Sequence, residues 1–207
     1  QVPTDPESLI FSWNKLRTYQ KIPTSTEYSN VAVIDGTRKT GNDNFSMPIF
    51  KKMFNGDFFE FHLIDCIFSQ TATKDLIPDI VEKIIKHKIK TLVIETNVDN
   101  KLKKVLQEKL VEKGYFQIDI IEIYSTANKQ ARIEDQKGNI LRNLVFPAKH
   151  LFGFKSDVGK FLENLVTYNN KGRNSHDDAP DSCAILTKEL VDEGSAPAKA
   201  VPIKRPF

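Results

Sequence analysis

Two short, unbroken runs of apolar residues limit the folds open to this chain more than any other feature. The first covers residues 31–34, and the second covers residues 92–94 within the predicted strand 91–94; polar segments bound both. Runs of this length are typical of β-strands that are buried on both faces of a sheet. Because both faces of such a sheet must be covered, we expect an α/β fold with helices on either side.

The segment between the two runs has the pattern of an antiparallel hairpin. Residues 45–53 and 58–68 are rich in aromatic and β-branched residues, and Asn55 and Gly56 stand between them as a turn signal. Together with residues 31–34, these segments predict an antiparallel meander of three strands. The later segments predict helices over 74–87, 100–113, 158–168 and 178–192, with strands over 91–94 and 118–124.

Strands that alternate with helices after the meander indicate right-handed crossovers and parallel strands. The predicted fold class is therefore α/β, with a mixed sheet of meander and parallel strands flanked by helices. Residues 126–147 show no regular periodicity. We expect the domain to span residues 30–193, after a lead-in arm over 1–29 with one helix over 6–19, and before a flexible basic tail over 194–207.

Composition narrows the possible surroundings and partners. No run approaches the roughly 20 apolar residues of a membrane helix, so no membrane association is expected. Cys66 and Cys183 lie in apolar surroundings and are predicted to be buried free thiols. The net charge is only +3, so any affinity for nucleic acid must come from local basic patches.

Each of the two apolar runs ends in a carboxylate, Asp35 after the first and Glu95 after the second. If the two strands are parallel neighbours, both side chains lie at the carboxyl edge of the sheet, where ligand sites of α/β proteins gather. A third acidic group opens the last predicted helix. At 100° per residue, Asp178 lies beside the buried face of that helix, while Asp177 and Asp181 are expected to point further away.

Clustered carboxylates stay ionised only beside positive charge, and a set of hard oxygen ligands suits Mg²⁺ or Mn²⁺. Two such ions can promote the hydrolysis of a phosphodiester. Each acid also has an ordinary structural explanation. Asp35 precedes Gly36 and suits a turn, Glu95 suits a solvated strand end, and one of Asp177 and Asp178 suits a helix N-cap.

These acids, with two further motifs, resemble the nuclease domain of phage large terminase subunits over residues 30–190. The motifs are Asn-Lys-x-x-Arg-Ile at 128–133 and His-Asp-Asp-Ala at 176–179. The resemblance implies an RNase H-like fold and three metal-binding acids in this order. By that analogy Asp35, Glu95 and Asp178 bind two divalent ions, Mg²⁺ or Mn²⁺, with Asp177 and Asp43 as auxiliaries.

The same resemblance implies an endonuclease that cuts concatemeric double-stranded viral DNA during genome packaging. It implies an ATPase domain on the N-terminal side, so the chain resembles an isolated C-terminal domain. The implied partners are double-stranded DNA, that ATPase domain, the portal protein and the small terminase subunit, and the implied location is the host cell cytoplasm.

Basic residues near the acids are candidates for contact with DNA phosphates, and two further residues are candidates for supporting the metal ligands. The candidates for DNA contact are Arg38, Lys39, Lys129 and Arg132, and the supporting candidates are His176 and Asp181. Two rival functions remain open. One is a nuclease of the resolvase or transposase type on the same fold, and the other is a non-catalytic RNase H-like docking module.

Overall fold

The structure is a computed structural model that describes residues 9–24, 27–36, 44–96, 101–124, 128–169, 174 and 176–192. The strands of the described part are β1 (Arg17–Tyr19), β2 (Tyr28–Ile34), β3 (Phe45–Phe54), β4 (Phe59–Ser69), β5 (Ile89–Glu95), β6 (Asp119–Ile123) and β7 (Leu144–Pro147). The α-helices are α1 (Ile77–Lys86), α2 (Leu102–Glu112), α3 (Lys129–Asn143), α4 (Asp157–Val166) and α5 (Asp178–Thr187). Short 3₁₀ turns cover Thr73–Asp75 and Lys149–Leu151, and a π-helical turn, Lys188–Asp192, follows α5.

One seven-stranded sheet in the order β1-β7-β4-β3-β2-β5-β6 organises the described residues. β2, β3 and β4 form the predicted antiparallel meander, whereas β5 runs parallel to β2 and β6 runs parallel to β5. On the other side, β7 is parallel to both β4 and β1. The predicted fold class, a mixed sheet flanked by helices, is thus confirmed.

Two apolar cores lie on opposite faces of this sheet, which explains why the first apolar run has no polar position. Val31 and Val33 of β2 pack into the core that α3, α4 and α5 cover. Ala32 and Ile34, which point the other way, pack into the core that α1 and α2 cover. β5 alternates between the two cores in the same manner.

The helix expected over residues 6–19 is wrong in its described part. Leu9 forms an isolated β-bridge with Asn169, residues 10–16 form bends and a turn, and Arg17–Tyr19 is the strand β1, paired with β7. The physical reason is burial: Phe11 is completely buried and Ile10 and Leu16 are nearly so, all in the core beneath α3, α4 and α5. Because tertiary packing decides most local structure, this burial outweighs helix propensity. The described part of the expected lead-in thus contributes to the core, and residues 1–8 lie outside the described part.

The region over 126–147 is more regular than the sequence indicated, because it forms α3 and β7. The Asn128 side chain caps α3 by accepting a hydrogen bond from the backbone N–H of Gln130 at 2.9 Å. Three of the five buried positions of the helix are polar, and this hid its apolar periodicity. Those five are Arg132, Ile133, Gln136, Ile140 and Asn143.

One expectation drawn from composition agrees with the structure. Cys66 and Cys183 are buried free thiols. Among the described residues, no helix is long and apolar enough to cross a membrane. The basic tail expected over 194–207 lies outside the described residues.

Substitution of two helical glycines by alanine should change the free energy of unfolding in opposite directions. A Cβ atom on Gly159 of α4 would lie 2.6 Å from the carbonyl oxygen of Phe154, and that backbone has no flexible end that could move away. We expect Gly159→Ala to lower the free energy of unfolding by about 1–3 kcal/mol, as overpacking does. Urea denaturation measures this change.

Gly138 of α3 is the matched control, because a Cβ atom there meets nothing within 4 Å. Gly138→Ala should raise the free energy of unfolding by about 0.5–1 kcal/mol, since alanine is the better helix former. Equal effects of the two substitutions would contradict the packing of α4 described here.

Candidate metal centre

Asp35 and Glu95 lie side by side at the carboxyl edge of the sheet, where β2 and β5 end. Ile34 is paired with Ile94 in the parallel register, so the two carboxylates follow at the same level. The backbone of Asp35 is fixed by two hydrogen bonds of 3.0 Å with Ser46 of β3. Both acids are nearly fully buried. Neither is therefore the solvated turn or strand-end residue that its sequence position also allowed.

The third member of this acidic group is Asp181, which α5 brings to the sheet edge. One carboxylate oxygen from each of Asp35, Glu95 and Asp181 lies within 4.8 Å of the others. The helix is anchored there by the Ser182 hydroxyl, which contacts the Ser46 hydroxyl at 2.9 Å.

The expectation that Asp181 points away from the edge is wrong. It assumed a helix with one exposed face, whereas all ten residues of α5 are buried, so that Asp181 has no solvent to face.

Asp178, the predicted third ligand, lies at the edge of this group. Its Oδ2 accepts hydrogen bonds from the backbone N–H of Asn44 at 2.9 Å and from the Asn44 side-chain amide at 3.0 Å. Asp177 is the N-cap residue of α5, although its side chain makes no capping hydrogen bond. Asp178 is nearly fully buried and Asp177 is about one-third exposed, so Asp178 is the better held of the pair.

Arg132 joins two of the three clustered acids. Its Nε and one terminal nitrogen donate to the two carboxylate oxygens of Asp181, both at 2.7 Å, and its other terminal nitrogen donates to Glu95 Oε1 at 2.8 Å. Only 4% of the Arg132 side chain is exposed. Its guanidinium thus neutralises carboxylates from α5 and β5 in a geometry that lysine cannot reproduce.

Lys129, one helical turn before Arg132, places its ammonium among four carboxylates. Its Nζ lies 3.0 Å from Asp35 and 3.3 Å from Asp181, and 3.6 Å from Asp178 and 3.9 Å from Asp177. The Lys129 side chain is 38% exposed, unlike that of Arg132. One cation therefore reaches the group from the solvent side while the other is locked within it.

The pKa values of this group reflect burial opposed by charge. Burial raises the pKa of Asp35 well above its usual value, the Lys129 ammonium opposes this rise, and the charges of Asp181 and Glu95 add to it. Burial by itself would lower the pKa of Lys129, but attraction to Asp35 and Asp181 raises it overall. Burial also raises the pKa of Asp177. The acids are held together by cations rather than by solvent.

The other predicted site residues have different outcomes. Arg132 does not fit the expected contact with a DNA phosphate, because its guanidinium is enclosed by Glu95 and Asp181. His176 lies at the entrance to α5, where its carbonyl oxygen accepts a hydrogen bond from the Asn164 side chain at 3.2 Å. The remaining candidates, Arg38, Lys39 and Asp43, lie outside the described residues.

Sequence reasoning missed Asn44, which holds Asp178, and the pair of hydroxyls that anchors α5. It also misjudged the relation between the acids and the basic motif. The available signal was spacing: Lys129 and Arg132 are three residues apart, as are Asp178 and Asp181. Residues three apart lie on one helix face, so two facing helices bring such pairs into register.

Comparison with known families identifies the domain. The chain matches the family model described as the ribonuclease H-like domain of the bacteriophage T7 terminase over residues 34–144, more than half of its 207 residues. The chain belongs to this family. Asp35, Glu95, Lys129 and Arg132 all fall within the matched range. No curated protein matches the chain in sequence.

Solved structures similar to this RNase H-like domain include three viral terminase nuclease domains. That of the large terminase subunit of bacterial virus Sf6 is 11% identical, with a TM-score of 0.51 over 86% of this chain and 93% of that one. The human cytomegalovirus domain, soaked with Mn and with inhibitor bound, is 11% identical, with a TM-score of 0.51 over 85% and 91%. That of phage G20c, with bound zinc, is 13% identical, with a TM-score of 0.50 over 87% and 98%. At these identities the likeness shows a shared fold.

The bridge formed by Arg132 makes a prediction about stability. In EDTA, Arg132→Met should lower the free energy of unfolding by about 3–5 kcal/mol, because it removes the buried guanidinium that offsets the charges of Glu95 and Asp181. Lys137→Met on the same helix is the matched control. Lys137 is partly exposed, and its ion pair with Glu134, at 3.5 Å, is long and therefore weak. Denaturation in urea compares the two, and equal stabilities would show that the bridge is not a main support of the site.

Proposed function

We propose that this domain is a metal-dependent endonuclease that hydrolyses phosphodiester bonds of double-stranded DNA. The observation that carries the proposal is the convergence of three buried carboxylates at the carboxyl edge of the sheet, with oxygens within 4.8 Å of one another. Buried acids gathered so closely are costly unless they hold a cation. Membership in the terminase RNase H-like family supports the same conclusion.

The donor set fits a hard divalent cation. Asp35, Glu95 and Asp181 offer only carboxylate oxygens, which Mg²⁺ and Mn²⁺ prefer, and no sulfur or imidazole belongs to the group. These three would hold one ion, and Asp178 with Asp177 would contribute to a second beside Asp35. When bound, two such ions supply the positive charge that activates a water and stabilises the leaving oxygen of the phosphodiester.

Two cations of the chain have different roles at the site, since one is fixed and the other can move. Arg132 keeps Glu95 and Asp181 in position, because its guanidinium is buried and bonded to both. Lys129 approaches from the solvent side with a single ammonium. Lys129 can therefore turn from the carboxylates to a DNA phosphate, together with the predicted contacts Arg38 and Lys39, while Arg132 stays in place.

We further propose the biological setting that the family suggests. The domain would cut concatemeric viral DNA during genome packaging, in the cytoplasm of the host cell. It would act next to an ATPase domain of the same polypeptide, with the portal protein and the small terminase subunit as partners. An ATPase that holds DNA near the site would raise the local DNA concentration, which a domain with a net charge of only +3 does little to achieve by itself.

A second candidate function is a non-catalytic docking module, and one observation favours it. Lys129 and Arg132 already balance part of the negative charge of the clustered acids within the chain, so that a metal ion is not the only counter-charge open to them. An RNase H-like domain that had lost catalysis would be stable in this arrangement. Metal binding and DNA cleavage distinguish the two functions.

Digestion of plasmid DNA tests the proposal. We expect nicking with Mn²⁺ or Mg²⁺ and none with EDTA. Asp35→Asn and Asp181→Asn should each reduce the rate at least about 100-fold, since each removes a proposed metal ligand. Asp79→Asn on the exposed side of α1 is the matched control and should cut like the wild type.

Asp178→Asn distinguishes the ligand set predicted from the sequence from the set that the cluster of Asp35, Glu95 and Asp181 suggests. Full activity of this variant beside inactive Asp181→Asn would remove Asp178 from the ligands. Equal cutting by all variants and the wild type, or undiminished cutting in EDTA, would refute the metal-dependent activity.

Lys129 makes a separate prediction about metal binding. Lys129→Met removes the ammonium that competes with an incoming cation, so the affinity for Mn²⁺ should rise by about fivefold, as suits a partly exposed ion pair. Isothermal titration calorimetry of the DNA-free protein measures the affinity, with Lys137→Met as the control. An unchanged or weaker affinity would show that Lys129 does not compete for the site.

A further inference from the structure

A polar cleft adjoins the acidic cluster and lies beyond the three clustered carboxylates. It is a cavity of about 480 Å³ between the end of β4, at Ser69 and Gln70, and the outer face of α4. Asn44 connects the two sites, because it lines the cleft and also donates two hydrogen bonds to Asp178. A chain-like ligand that passes over the acids at this side therefore continues into the cleft.

The α4 wall of the cleft is a stripe of polar residues at helical spacing, namely Lys160, Glu163, Asn164 and Thr167. Asn164 gives the wall its connection to α5. Its amide nitrogen donates to the His176 carbonyl at 3.2 Å, and its oxygen accepts from the Ala179 backbone N–H at 3.0 Å. The wall and the helix that carries Asp178 and Asp181 are thus fixed to each other.

Two exposed side chains and one buried nitrogen at the cleft are candidates for contact with a ligand. The Lys160 side chain is 54% exposed. Its ion pair with Asp157 is long, at 3.7 Å, and therefore weak. The Gln70 amide is exposed at the rim. The Nδ1 atom of His176 is buried and has no hydrogen-bond partner in the described part of the chain. A buried nitrogen without a partner among the described residues can accept or donate one further hydrogen bond, to a water or to a ligand.

We propose that this cleft binds the sugar-phosphate backbone of the DNA strand next to the bond that is cut. Lys160 contacts a phosphate, and Gln70 and His176 supply hydrogen bonds to the backbone. Glu163 stands in the same wall and repels the phosphate, which keeps the affinity low. The inference rests on the proposed function, since it takes its ligand from the substrate of the neighbouring acids.

Polar and charged side chains at the cleft favour a backbone over an apolar or base-reading ligand. Most protein–DNA hydrogen bonds go to phosphate and sugar, and these contacts position the duplex without reading its sequence. One lysine and several amide and hydroxyl groups are the donors that such contacts use. We therefore expect binding in the cleft to depend on salt and to be indifferent to sequence.

The test uses two substitutions with opposite expected signs. Lys160→Ala should weaken binding of a fluorescent 20-base-pair duplex by about three- to tenfold and lower the salt slope by about one, since one phosphate contact is lost. Glu163→Gln should strengthen the same binding by a similar factor. Fluorescence anisotropy in Ca²⁺ measures both affinities, and a gel confirms that the duplex stays intact.

Lys109→Ala and Glu112→Gln are the matched controls. They make the same charge changes at the same spacing, near the C-terminal end of α2 on the other face of the sheet. Neither should change DNA affinity by more than about twofold. If the control pair changed DNA affinity as much as the cleft pair, the effects would reflect net charge alone. That result would overturn the proposal that the cleft binds DNA.

The outcomes separate this inference from the proposed function. Wild-type levels of DNA binding by both cleft variants, in a protein that cuts plasmid DNA, would overturn the cleft and leave the nuclease intact. A protein that fails to cut with Mn²⁺ but loses DNA affinity on Lys160→Ala would refute the nuclease and support a DNA-binding cleft. Both variants should keep wild-type affinity for Mn²⁺ by calorimetry, and a loss of that affinity would overturn the assignment to DNA.

Discussion

The buried bridge from Arg132 to Glu95 and Asp181 is the interaction on which the arrangement of the site depends. It joins α3, β5 and α5, three elements that come from different parts of the chain. Without the guanidinium, the two carboxylates would repel each other at the same edge where Asp35 already lies. The guanidinium therefore offsets much of the repulsion that arises when the fold gathers these acids at one edge.

The two cations of α3 differ in how firmly they are held at the site. Arg132 is enclosed, so its charge is a permanent part of the structure, whereas Lys129 is partly exposed and held by single contacts. A divalent ion entering the group would meet one replaceable charge and one fixed charge. The fixed charge would remain in place if the replaceable one gave way to a metal ion.

Much of the fold and part of the site could be predicted from the sequence. Asp35 and Glu95 could be placed together because apolar runs indicate the two buried strands that precede them. The carboxyl ends of parallel neighbouring strands lie at the same edge of the sheet. Asp181 could not, because its helix is buried all round and gives no amphipathic pattern from which to judge direction. α3 was missed for a related reason: its buried positions include Arg132, whose burial depends on partners far away in the sequence. Buried polar side chains thus hide the apolar periodicity of the helices that carry the candidate site.

The distribution of the site along the chain has a consequence for how the protein reaches its native state. The cluster combines Asp35, Glu95, Arg132 and Asp181, so its longest contact spans most of the described sequence. A nascent chain would expose β2 and β5 with their carboxylates before α5, which carries the last partner of Arg132, had been synthesised. Because such distant contacts form slowly, the charged centre should be among the last parts of the domain to become ordered. A chain ending at residue 144, where the family match stops, would hold Arg132 and Glu95 but never complete the centre.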